Sequence, residues 1–217
     1  MKRIFILVSA LLLSSAAMAQ NDRTDMWEFG LIVNDQSSES LVGNQGSAIA
    51  IDGDTGWGLN FTYNFSNRFA LGADFIWSSP KYTAALVPDD GVGIPQVINH
   101  KMDLFTYNIK GTWNMLDGPV TPYLDAFYGW TNIDSNIADQ PPITGCWWDP
   151  WWGYVCDTFY STYSKTRNSY GGSAGIRWDT RNGWTLKASY GILEIDTSRA
   201  SSKANLEVIR VDLAWLF

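Results

Sequence analysis

The sequence predicts an all-β fold: an eight-stranded antiparallel up-and-down transmembrane β-barrel with long extracellular loops and short periplasmic turns. Three observations carry it. Eight segments alternate large apolar residues with small or polar ones, the period of a strand with one greasy and one wet face. The connections alternate long and short, so all the long ones fall on one side of a barrel. Aromatics make up 15% of the chain, with 12 Trp, and they gather at strand ends, where amphipathic rings meet the two interfaces of a bilayer.

Residues 1–19 stand apart. Lys2 and Arg3 precede a short apolar core, and Ala17-Met18-Ala19 forms a small-x-small cleavage site. That is the pattern of a secretory signal peptide, with a core too short to span a bilayer as a helix. The expected mature domain is 20–217. It carries 13 basic against 22 acidic residues, a net charge of −9, which argues against nucleic acid as a partner.

The first strand places Trp27, Phe29, Leu31 and Val33 on one face, and a polar loop is expected over 34–55. Segment 57–65 alternates most cleanly: Trp57, Leu59, Phe61, Tyr63 and Phe65 against Gly58, Asn60, Thr62 and Asn64. After Ser66-Asn67 comes a mirror run, Phe69, Leu71, Ala73, Phe75 and Trp77, which makes a β-hairpin. A second long loop is expected over 78–101, then a strand with Phe105, Tyr107, Ile109 and Trp113 outward. A turn at 116–119 leads to Leu124, Ala126, Tyr128 and Trp130, whose opposite face also carries aromatics and leaves the register open. The longest loop is expected over 134–168. Strands ending in Trp178 and starting at Trp184 flank Arg181-Asn182-Gly183, a turn sequence that favours positive φ. A modest loop, 194–204, leads to the closing strand.

The second face holds Glu28, Asp74, Asp125, Asp179 and Asp212 with Arg68, Lys110, Arg177, Lys187 and Arg210. Eight strands leave an interior that side chains fill, and a balanced set of charges can pair there. A conducting lumen is the alternative. A soluble barrel of lipocalin type would crowd nearly all the aromatics into one small lumen and leave ten charges outside.

Cys146 and Cys156 enclose Trp147, Trp148, Trp151, Trp152 and Tyr154 in the longest loop. In an exported chain they are expected to form a disulfide, worth about 2–3 kcal/mol from loop closure. The aromatics form a binding surface for lipid, glycan or a small hydrophobic ligand, or a loop that packs over the mouth on itself or against Leu86, Val87, Val92 and Ile94, two compatible readings. His100, the sole histidine, lies near Asp103 but brings no Ser-containing motif, so no catalytic set is expected. No residue cluster points to a metal or a cofactor.

The final segment places Ile209, Val211, Leu213, Trp215 and Phe217 on one face and ends on an aromatic. It resembles the C-terminal strand of bacterial outer-membrane barrels, in which such a closing Phe and preceding aromatic are read by the barrel-assembly machinery. That resemblance implies an assembly signal at Leu213, Trp215 and Phe217. Segment Gly58-Leu59-Asn60-Phe61-Thr62-Tyr63, then Leu71-Gly72-Ala73, Ser79-Pro80-Lys81-Tyr82, Thr121-Pro122-Tyr123-Leu124-Asp125-Ala126, Trp184 and Ile195-Asp196-Thr197 resemble the outer membrane protein W family. The resemblance implies residence among outer-membrane lipids of a Gram-negative-type bacterium and passive passage of small hydrophobic compounds. A charged lumen and a cysteine-bridged Trp loop depart from that family's pattern. The expected role is binding or passive admission of small hydrophobic molecules at the extracellular mouth, without enzymatic activity. The alternative is a structural or interaction protein for adhesion or envelope integrity. A continuous apolar path would favour the first, a plugged lumen with outward Trp the second.

Overall fold

A computed structural model describes residues 22–43, 47–86, 96–197 and 203–217. The expected signal peptide, and Val87, Val92 and Ile94 of the second loop, lie outside the described residues.

Eight strands close one barrel: β1 (Met26–Gln36), β4 (Asp54–Asn64), β5 (Phe69–Ser78), β8 (Asp103–Asn114), β9 (Val120–Ala138), β12 (Thr162–Asp179), β13 (Trp184–Ile195) and β14 (Ala204–Leu216). All neighbours are antiparallel, and β14 returns to pair with β1. Backbone hydrogen bonds between Trp27 and Phe217, 2.8 and 2.9 Å, finish that seam at its inner end. Closure matters because every backbone group of a spanning strand must be paired. At the β12–β13 turn Gly183 takes φ +82°, the left-handed conformation its sequence predicted.

The apolar face turns outward on every barrel strand, leaving Phe29, Leu31, Val33, Leu71, Ile109, Val211 and Leu213 exposed to the surroundings. The open register of β9 resolves with Leu124 and Tyr128 outward and Tyr123 fully buried inside. At the outer ends, Trp57, Trp77, Phe105, Tyr107 and Trp130 stack into a ladder across β4, β5, β8 and β9, with centroids 4.9–5.8 Å apart.

The long connections differ from expectation. Among the described residues they hold six further strands: β2 (Glu39–Val42), β3 (Ala48–Ile51), β6 (Lys81–Leu86), β7 (Gln96–Lys101), β10 (Ile143–Asp149) and β11 (Gly153–Phe159). The first four form one sheet in the order β2-β3-β6-β7. Its apolar side packs on the barrel mouth: Leu41, Ile49, Ile51, Tyr82 and Ala84 meet Met102, Leu104, Ile133, Ile195 and Leu206. Strands of four to six residues are too short for periodicity to reveal, and burial against the barrel is what stabilises them. β9 and β12 also run past the expected ends, paired from Trp130↔Asn168 to Asp134↔Ser164 and, after a bulge at Asn136, again at Ala138↔Thr162.

Candidate functional site

Inside the bore the charges meet in two groups. Towards the inner end, Glu28 forms ion pairs with Arg177 and Lys187, both at 2.5 Å, and accepts from Asn64 at 3.0 Å. Asp179 bridges Arg177 at 2.8 Å and Arg23 at 3.2 Å. Above them, Asp74 pairs with Lys110 at 3.1 Å and Arg210 at 2.6 Å, and Arg210 also grips Asp212 at 2.6 Å. Asp125 accepts from Thr112 at 2.6 Å. Five cations thus face five anions in a space almost closed to solvent.

One member of the expected set is corrected. Arg68 does not enter the lumen. β5 begins only at Phe69, so Arg68 sits in the turn, outside the alternation of the strand. Its guanidinium reaches Asp117 in the next turn at 3.0 and 3.1 Å, and that donation holds the Asp117 carboxyl below its ordinary range. The fifth lumen cation is Arg23, which sequence pattern could not reveal because it precedes the first strand. Fully buried, Arg23 donates to the Asn67 and Gly118 carbonyls at 2.8 and 2.7 Å. It ties two inner turns and Asp179 together across the inner end.

Between the charge groups and the sheet over the mouth lies a cavity of about 50 Å³, lined by Asn34, Gln36, Ser189, Phe127, Ile192 and Arg210 among others. That is room for a few waters. Polar atoms of Asn34 and Gln36 there bond to no other described group, while Ile76, Phe127, Ile192, Leu193 and Val208 make much of the remaining lining apolar.

The aromatic loop is a separate two-stranded ribbon. β10 and β11 pair from Ile143↔Phe159 to Asp149↔Gly153, with Cys146 directly opposite Cys156 and joined to it by a disulfide. At the tip the Asp149 carboxylate accepts from the backbone N–H of Trp151 and Trp152, at 2.8 and 3.1 Å. Gly153 takes φ +79° to turn the chain back. Ser161 donates to Asp139 at the base.

Alternation splits the aromatics. Trp148 and Tyr154 flank the disulfide on one face, whereas Trp147, Val155, Ile143 and Phe159 share the other. Trp147 leans on Phe159, with centroids 5.2 Å apart. Trp151 and Trp152 occupy the tip. Exposure follows this division: Trp147 40%, Trp148 67%, Tyr154 74%, Trp152 78% and Trp151 81%. The ribbon therefore presents a bare apolar end, not one concave pocket. Ile143 and Phe159 extend the surface and had no signal beyond their apolarity.

His100 is exposed, and its Nδ1 accepts from the Lys101 backbone N–H at 2.8 Å. Asp103 instead accepts from Ser79 at 2.6 Å and Asn136 at 2.9 Å. The residues that a hydrolytic relay would need are not aligned in one chain of hydrogen bonds.

The family profile described as the outer membrane protein beta-barrel domain matches residues 5–217. Neisserial surface protein A superposes with a TM-score of 0.55 at 12% identity, covering 88% of this chain and 97% of that one. The outer membrane protein OprG from Pseudomonas aeruginosa gives 0.53 at 11% identity, covering 91% and 96%. Curated protein sequences give no match. Likeness at such identities establishes the barrel fold.

Proposed function

Since the chain belongs to the outer membrane protein beta-barrel family and resides in the outer membrane, we propose that it is a non-enzymatic contact protein of the cell surface. Its contact element is the disulfide-clamped tryptophan ribbon, and its lumen is closed. The observation that carries this reading is the contrast between the bore and the ribbon. The bore is filled by paired charges, with Arg23 buried at one end and an apolar sheet packed on the barrel mouth at the other. The ribbon leaves Trp148, Trp151, Trp152 and Tyr154 more exposed than a chain gains by doing so, which marks a surface with a partner. The disulfide holds the ribbon in its bound shape before contact, so less ordering is lost on binding.

Passive admission of small hydrophobic molecules is the weaker reading. It needs an apolar route, and the cavity inside holds about 50 Å³ lined in part by Asn34, Gln36 and Arg210. Leu213, Trp215 and Phe217 are further proposed to be read by the assembly machinery.

The test uses cells that display equal amounts of the parent or of a variant with Trp148, Trp151, Trp152 and Tyr154 all replaced by Ser. Retention on octyl-agarose should be high for the parent and fall to that of cells lacking the protein for the variant. Reduction of the disulfide should weaken retention without altering barrel secondary structure. Equal retention of both strains would remove the contact role.

A further inference from the structure

We propose that the partner of the tryptophan ribbon is the surface of a zwitterionic phospholipid bilayer, belonging to a second cell or vesicle. The inference rests on the contact role above and names what is contacted.

Charge decides the headgroup. Residues 139–161 contain Asp139, Asp149 and Asp157 and no Lys or Arg. Peripheral attachment to an anionic surface draws on basic residues, each attracted by the negative surface potential. Here that attraction is missing and the three carboxylates add repulsion, so an anionic surface is disfavoured and a zwitterionic one is left. Side-chain type decides the depth. Trp and Tyr have an apolar body and a polar N–H or O–H, and they settle at the headgroup boundary where both ends are satisfied. The exposed end of the ribbon consists of Trp148, Trp151, Trp152 and Tyr154.

The backbone is prepared for the same place. An unpaired N–H is costly in an apolar medium. The N–H groups of Trp151 and Trp152 are already taken by Asp149, and the strands behind them are paired up to Asp149↔Gly153. The tip can be covered by lipid with few bare backbone groups.

Distance decides whose bilayer it is. β9 and β12 stay paired beyond the outer aromatic ring at Trp130 as far as Asp134 and, past a bulge at Asn136, meet again at Ala138, which sets the ribbon base beyond that ring. The β10–β11 ribbon begins beyond that point.

The test holds the protein in nanodiscs and mixes it with vesicles of pure phosphatidylcholine, in a density gradient. The parent should float with the vesicles, and its tryptophan emission should be quenched when the vesicles carry brominated acyl chains. A Trp151→Ser/Trp152→Ser variant should lose vesicle affinity at least about tenfold, with heat-modifiable gel mobility of the barrel unchanged. Vesicles of equal parts phosphatidylcholine and phosphatidylglycerol should bind the parent more weakly. Failure of the parent to float would overturn the bilayer partner, as would equal flotation of the variant. So would stronger binding to the anionic mixture, or a saturable fluorescence response to a soluble cello-oligosaccharide in place of flotation. If flotation fails while retention on octyl-agarose still depends on the ribbon, the contact role stands and only its bilayer partner falls.

Discussion

Glu28 pairs with two cations and accepts from one amide at a position no solvent reaches. Glu28→Ala strips Arg177 and Lys187 of a shared partner, and an uncompensated buried charge costs about 3–5 kcal/mol. Urea unfolding from lipid vesicles should show a loss of that size, and a variant as stable as the parent would contradict the pairing. Arg68→Ala is the contrasting case. Its pair with Asp117 lies in water, where ion pairs contribute little, so the unfolding midpoint should stay put. Arg23→Gln should sit nearer Glu28→Ala than Arg68→Ala, because it unties the inner turns and leaves Asp179 with one cation fewer. Nine of the ten lumen charges were legible because they lie inside alternating strands. Arg68 and Arg23 were not, since one lies in a turn and the other precedes any strand, where parity says nothing about direction.

At the scale of the element, β5 is the cleanest test of face assignment. Ala73→Arg sets a charge on the lipid side and should cost about 2–4 kcal/mol near mid-bilayer, lowering folding yield in vesicles. Ser189→Ala, on the lumen face beside the small cavity, should leave yield unchanged. Equal yields for the two would mean the faces are reversed. Gly72 is no neutral control, because a side chain there would collide with Thr62 and the Phe61 carbonyl. The last strand carries a second test. Phe217 both hydrogen-bonds Trp27 through its backbone and bears the terminal aromatic. Deleting it would confound seam with signal, whereas Phe217→Ala keeps the backbone bonds. That variant should fold in detergent like the parent yet accumulate less in the outer membrane of cells; normal accumulation would argue against an assembly signal. The spanning parts of all eight barrel strands were legible from alternation. The sheet over the mouth was not, because Glu39–Val42 and Ala48–Ile51 are too short for period and owe their order to what they cover.

Across the whole molecule, the acidic, aromatic-rich chain resolves into a membrane cylinder with a filled bore, an apolar cover and a projecting ribbon. The sequence made the disulfide and the Trp cluster visible but placed all four Trp on one surface, because it could not show that the segment pairs as strands and sorts Trp147 from Trp148. Separation of the bore from the contact element is tested most directly by planar-bilayer conductance of the purified protein. The charge groups at Glu28 and Asp74 and the cover built on Tyr82 and Leu104 predict a current no different from that of protein-free bilayers. Stable conductance steps from the parent, persisting when the ribbon aromatics are replaced by Ser, would contradict it.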